Sequence, residues 1–232
     1  MGQEGDMMSK AVVLLSGGLD SSTTLGIASE EHDELHALTF LYGQKHGKEI
    51  RSAKSLGEHY SVKEHKFLDI PLSEVGESSL LEDGEDIPDQ DEGEIGQEIP
   101  STYVPARNII FLSYALSYAE SIDAEAIFIG ATARDYSGYP DCRPEFYDAF
   151  EKMAEKGTKR GVEGEPISIR YPLIDMSKAD IVKRANELDV PLDLTWSCYR
   201  GGEKACGRCD SCKLRLKGFE EAGIKDPIEY ED

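Results

Sequence analysis

Residues Leu14 to Thr23 read LLSGGLDSST, and they follow an apolar run, Lys10–Leu15, that reads as a buried strand. A strand that ends in Ser-Gly-Gly and leads into a helix presents several backbone N–H groups at the helix N-terminus. Those donors and the helix dipole favour an anion there, and glycines let it approach closely. Ser16, Ser21 and Ser22 add hydroxyl donors. Asp20 is the anomaly, because a carboxylate repels phosphate. It makes sense as a ligand of a Mg²⁺ that bridges the phosphates. The stretch matches neither G-x-x-x-x-G-K-[ST] nor G-x-G-x-x-G, which sets aside a Walker-type NTPase and weakens a dinucleotide reading. The plainer alternative is an ordinary strand–helix turn with a serine cap.

The pattern outward from this loop predicts the fold. Ser21–Glu31 reads as a helix, Leu35–Tyr42 as a strand, Gly47–Tyr60 as a helix and Glu64–Leu68 as a third strand. Strands alternating with helices predict an α/β fold with a doubly wound parallel sheet. Leu72–Ile99 breaks the rhythm, with many acids and no Lys or Arg, and is expected to form a mobile acidic loop, a candidate lid. Beyond it come a helix over Arg107–Ile122, a strand over Ala126–Gly130 and a polar loop to Arg143. A helix then opens at Pro144, and a short strand covers Ile167–Arg170. Ser177 and Asp180 have capping-box spacing and open a helix that runs to about Leu188. A short helix is expected after the last cysteine.

The 232 residues, 39% of them hydrophobic, allow one α/β domain with a small appendage. The division expected is 1–195 for the α/β domain and 196–232 for a C-terminal cysteine-bearing segment packed on it. The first residues, MGQEGDMMSK, have no apolar core of a secretory signal, and no apolar run approaches a membrane span, so a cytoplasmic location is expected. Acidic residues number 46 against 25 Lys plus Arg, a net charge of −21. Such a surface repels nucleic-acid backbones, which argues against tRNA as a direct substrate.

Four of five cysteines, Cys198, Cys206, Cys209 and Cys212, fall within fifteen residues. Four thiolates in a compact loop suit tetrahedral Zn²⁺, and a closed Cys₄ shell implies a structural ion. An iron–sulfur cluster is the alternative, though the ferredoxin C-x₃-C-P continuation is missing. Cys142 stands apart and reads as an inert thiol.

SGGLDSS after a first strand resembles the PP-loop of the ATP pyrophosphatases, whose members cut ATP between the α and β phosphates and place AMP on a substrate oxygen. Joined to the cysteine cluster, it resembles the 7-cyano-7-deazaguanine synthase family. FLYGQKH (Phe40–His46), STYVPARNIIFLS (Ser101–Ser113), SGYPDCRPEF (Ser137–Phe146), YPLIDMSKADI (Tyr171–Ile181) and the segment Ser197–Phe219 carry the same resemblance. It implies conversion of 7-carboxy-7-deazaguanine and ammonia to the nitrile with ATP, in queuosine or archaeosine biosynthesis. Leu15, Ser16, Gly17, Gly18, Leu19, Asp20, Ser21, Ser22, Thr23, Thr24 and Leu25 would form the nucleotide segment, with Asp20 near Mg²⁺. Phe40–Tyr42 would lie near adenine and Lys178 near a phosphate. Arg107 and Asn108 are candidates for a carboxylate or the pyrophosphate. Tyr139, Asp141 and Arg143 are candidates for the substrate, Asp141 for its base. Gln44 and His46 follow the second strand, His46 in a structural role rather than as a base. A homodimer is implied by the family alone. Two other readings stay open: a PP-loop enzyme with a different amine or acceptor, and a non-catalytic zinc-bearing interaction protein, against which the intact loop argues.

Overall fold

The computed structural model describes residues 8–43, 47–74, 78, 103–133 and 139–231. Gln44, His46 and, apart from its first turn and one residue, the acidic stretch Leu72–Ile99 lie outside the described residues. The chain runs β1 (Lys10–Leu14), α1 (Leu19–Glu31), β2 (Glu34–Leu41), α2 (Lys48–His59) and β3 (Glu64–Asp69). A single 3₁₀ turn, Leu72–Glu74, follows. Then come α3 (Arg107–Ser121), β4 (Ala126–Phe128), α4 (Pro144–Gly157), α5 (Lys159–Glu163), β5 (Ser168–Arg170), α6 (Lys178–Glu187) and α7 (Asp210–Ala222).

All pairings are parallel, in the order β3-β2-β1-β4-β5. Strand order reverses between β1 and β4, the switch point at which ligands bind at the carboxyl edge of such sheets. Alternation along β1 sends Val12 and Leu14 into one apolar layer and Ala11 and Val13 into the other. The first layer is closed by Leu112, Ala115 and Leu116 of α3 and by Tyr147 and Phe150 of α4. The second is closed by Leu25 of α1, Leu56 of α2, Ile181 and Val182 of α6, and Phe219 of α7. Burial on both faces is why the central strands read as continuous apolar runs.

Three local expectations need correction. Helix α1 begins at Leu19, not Ser21, so Asp20 belongs to its first turn. A short helix, α5, follows Gly157, started by Thr158, whose side chain accepts from the N–H of Gly161 at 3.0 Å. The last helix is not a short appendage after the cysteines: it has 13 residues, with Cys209 as its N-cap and Cys212 in its first turn. The capping box of α6 forms as the spacing predicts: Ser177 and Asp180 each satisfy a backbone N–H of the other.

Candidate functional site

A cleft of about 270 Å³ opens at the switch point. Its wall combines the loop after β1, the ends of β2 and β4, the start of α3, Lys178 of α6, and Ser197, Tyr199, Ser211 and Arg215 of the C-terminal segment.

No side chain caps the N-terminus of α1, so the helix offers its first N–H groups and dipole to the cleft. The Ser21 hydroxyl accepts from the N–H groups of Ser16 and Gly17, each at 3.2 Å, and donates to the Gly18 carbonyl at 3.1 Å. Two amides thus converge on the Ser21 hydroxyl, which braces the loop against the first turn of α1. Gly17 has φ +91°, and a Cβ there would stand 2.4 Å from the Glu49 carbonyl and 2.7 Å from the Ala53 nitrogen. Only glycine lets α2 press against the loop. Across the sheet, a Cβ on Gly130 would lie 2.9 Å from the Asp20 carbonyl.

The nucleotide segment expected from sequence divides in two. Leu15, Ser16, Gly18, Leu19, Asp20 and Ser21 line the cleft, with Gly17 packed beneath. Ser22, Thr23, Thr24 and Leu25 do not line it: they are fully buried, and the three hydroxyls bond back to the carbonyls of Gly18, Leu19 and Asp20 at 2.7 to 2.9 Å. Their polar atoms serve the helix, which is why they tolerate burial.

The Lys178 ammonium lies 2.9 Å from each Asp20 carboxylate oxygen. The pair brings opposite charges to the loop edge, and each carboxylate oxygen retains capacity for a second partner. To a divalent ion the described residues here offer one carboxylate in the cleft wall, shared with the Lys178 ammonium.

Arg107, Asn108 and Tyr139 also line the cleft. Asp141 and Arg143 do not. The Asp141 carboxylate accepts from the Asn108 N–H at 3.1 Å and so caps α3, while Arg143 occupies the N-cap position of α4. Asn108 Nδ2 donates to the Asp141 carbonyl at 3.0 Å and to Cys142 Sγ at 3.3 Å. Burial, with Asp141 nearby, pushes the Cys142 thiol up to about 11, so it stays protonated and inert. The Arg107 guanidinium lies 5.9 Å from the centre of the Tyr42 ring. Phe40 and Phe111 stack at 4.1 Å, and both line the cleft as a flat apolar wall.

Sequence reasoning missed several lining groups. Glu49 lines the cleft from the first turn of α2. Burial pushes its carboxyl up to about 7 against the pull of Arg107. Thr132 follows β4, and its buried hydroxyl finds no partner among the described residues. Thr132 sits just past the end of β4 on the ligand edge, the one signal that points to it, whereas Glu49 lies within α2 and carries none. Arg215 is buried on α7, bonded to Asp226 at 2.8 Å and to Thr195 Oγ1 at 2.8 Å.

The sulfur atoms of Cys198, Cys206, Cys209 and Cys212 all lie within 4.8 Å of one another and are buried. Ligands 2.3 Å from a tetrahedral ion stand about 3.8 Å apart, and Cys206 and Cys212 Sγ are separated by 3.9 Å. The N–H groups of Arg208 and Cys209 point at Cys206 Sγ, and those of Arg200 and Cys206 at Cys198 Sγ, all at 3.4 Å. Gly207 turns the knuckle with φ +67°. Thiol donation from Cys209 and Cys212, joined by these amides, holds the Cys198 thiol far below its usual range. The set fits a metal ion held by four thiolates. This centre is joined to the cleft: the Trp196 N–H donates to the Gly17 carbonyl at 2.9 Å, and the Lys48 ammonium lies 3.5 Å from the centre of the Trp196 ring.

Comparison with known proteins agrees with this architecture. The chain is 59% identical over 223 residues to a 7-cyano-7-deazaguanine synthase of Acetivibrio thermocellus, covering 96% of this chain and 98% of the relative. It is 55% identical to one of Thermoplasma acidophilum, covering 96% and 92%. One of Nostoc punctiforme is 51% identical, with 95% and 99% covered. The family model described as "Queuosine biosynthesis protein QueC" matches residues 10–223, and the chain belongs to that family.

Proposed function

We propose that this chain uses ATP to convert 7-carboxy-7-deazaguanine and ammonia into 7-cyano-7-deazaguanine, as a nitrile-forming ligase. The observation that carries the reading is the open N-terminus of α1 facing one cleft with both the Asp20–Lys178 pair and Arg107. Phosphates fit the first set, and a substrate carboxylate suits the Arg107 guanidinium.

A carboxylate is a poor electrophile. Attack of its oxygen on the α-phosphate of ATP forms a carboxyl–AMP anhydride and releases pyrophosphate. Ammonia adds to the acyl carbon, AMP departs, and an amide results. The amide oxygen attacks a second ATP, again releasing pyrophosphate. Loss of AMP and of both N–H protons then leaves the nitrile. Each step asks for positioning and charge stabilisation rather than a protein nucleophile. The open first turn of α1 and the Lys178 ammonium hold the departing pyrophosphate, while Arg107 orients the carboxylate. Phe40 and Phe111 offer an aromatic face to a base. Mg²⁺, held by Asp20, would supply charge neutralisation at the phosphates. Zn²⁺ at the four cysteines would be structural, because four thiolates leave it no open position.

The test is direct. Purified protein with ATP, Mg²⁺, ammonium and 7-carboxy-7-deazaguanine should yield AMP, pyrophosphate and the nitrile, read by mass spectrometry. Metal-loaded, folded protein that makes neither amide nor nitrile would refute the reading.

A further inference from the structure

We propose that Glu49 binds the incoming nitrogen of the amidation step and takes its proton. The inference rests on the reaction proposed above and assigns the group that delivers its nucleophile.

Five charged side chains among the described residues line the cleft: Asp20, Glu49, Arg107, Lys178 and Arg215. Asp20 and Lys178 are engaged with each other, and Arg215 is engaged by Asp226. Glu49 is the remaining carboxylate, and no hydrogen bond or ion pair ties it to another described residue. Its position is fixed from behind. The Glu49 carbonyl packs against Gly17 so closely that a Cβ there would stand 2.4 Å away. Its carboxyl also feels the Arg107 charge from α3. Glu49 therefore lines the same cleft as the phosphate loop and Arg107, the group assigned to the substrate carboxylate.

The chemistry needs an acid-base group there. Ammonium, the dominant form at neutral pH, is a cation without a lone pair. A carboxylate attracts it, removes one N–H proton and leaves ammonia beside the acyl–AMP carbon. The nitrogen lone pair forms the C–N bond, the C–O bond to AMP breaks, and the second proton leaves with the AMP phosphate. Glu49 returns its proton to solvent. Arg107 and Cys198 are the titratable groups whose charges reach it: Arg107 favours the carboxylate and Cys198 opposes it. Burial outweighs both and brings the carboxyl to about 7, where it can both take and release a proton.

The experiment compares wild type with Glu49→Gln in the metal-loaded full chain. Pyrophosphate exchange into ATP, dependent on 7-carboxy-7-deazaguanine, should stay within about twofold, because adenylation does not use this group. Amide formation from ammonium should fall about 100-fold or more, the usual share of a general base. Wild-type amidation should rise up to about pH 7 and level off. The variant should instead track free ammonia, about tenfold per pH unit. Hydroxylamine, which is unprotonated at neutral pH, should give hydroxamate at nearly the wild-type rate in both. Unchanged amidation in the variant, equal loss of hydroxamate and amide, or equal loss of exchange would each overturn the assignment. A wild-type chain without substrate-dependent exchange would overturn the reaction and this assignment with it.

Discussion

Lys178 reaches Asp20 across Gly218: its ammonium meets both carboxylate oxygens at 2.9 Å, and a Cβ on Gly218 would lie 2.4 Å from Lys178 Cγ. Three elements, α1, α6 and α7, thus fix one charge pair at the mouth of the phosphate loop. If the ammonium supports the departing pyrophosphate, Lys178→Met should lower kcat about 100- to 1000-fold, the scale of losing one preorganised donor. Pyrophosphate exchange should fall in parallel. The melting temperature should drop by a few degrees at most, because the partner Asp20 keeps access to water. Steady-state kinetics beside calorimetry separates the two effects.

Gly218→Ala touches the same pair from behind. The added methyl meets the Lys178 side chain and, at 3.1 Å, its backbone carbon, so α6 and α7 must part. Overpacking of this kind costs about 1–3 kcal/mol. The expected outcome is a lower denaturation midpoint together with a raised KM for ATP, although the residue touches no ligand.

Gly17→Ala should be more severe. The position has φ +91°, and both nearest atoms belong to the backbone of α2 and cannot rotate away. A destabilisation of about 3 kcal/mol is expected from the positive φ and the clash together, with nucleotide binding lost. Urea titration and calorimetric ATP binding report the two separately.

Removing the metal, or replacing Cys209 by Ser, should loosen the C-terminal segment before it affects chemistry in the remaining folded protein. Structural zinc contributes on the order of 10 kcal/mol in small modules. Here part of that is retained by α7, whose Phe219 packs in the main core. The variant should bind less zinc by elemental analysis and melt at a clearly lower temperature. An unchanged melting temperature would argue that the four thiols hold no structural ion.

His65 gives a pH prediction. Burial pushes its ring down to about 4, with Thr39 Oγ1 at 2.8 Å from Nε2. In the unfolded chain it titrates near 6.5. Between those values the unfolded state binds a proton that the folded state refuses. Its stabilisation is therefore whole above about pH 6.5, declines as the pH falls, and is spent below about 4. His65→Gln should flatten that part of the wild-type stability curve. Denaturant midpoints at pH 7, 5.5 and 4 read the difference.

Much of the fold was legible in the sequence because period and punctuation agree. Val12 to Leu15 and Leu35 to Phe40 are buried from both faces; the first stands out as an apolar run, and the second does so despite His36 and Thr39. The Ser177–Asp180 box sets its helix start within one residue. The start of α1 was less visible because Gly18, which offers no side-chain cap, begins it. The site was legible where chemistry is local: one loop leads into the open start of α1, and one knuckle holds three thiols. It was illegible where tertiary contact decides. Asp141 in isolation looks like a carboxylate for a base, yet the packing of α3 against its turn makes it a cap. Ser22, Thr23 and Thr24 share a motif with Ser16 and Ser21, but helical rotation carries them to the back of α1. Glu49 carries no motif at all; its meaning comes from α2 being pressed against Gly17.

The bond from Trp196 to Gly17 joins residues 179 positions apart in a chain of 232. Contacts of such sequence separation form late, since a large loop must close before they contribute. The strand and helix that carry the phosphate loop can associate early through local pairing. The wall containing Ser197 and Tyr199 arrives only when the distal segment docks. Docking of the distal segment therefore completes both the four-thiol centre and the far wall of the cleft. A chain starved of metal should accumulate as a nearly folded species whose sheet is intact but whose cleft lacks a side.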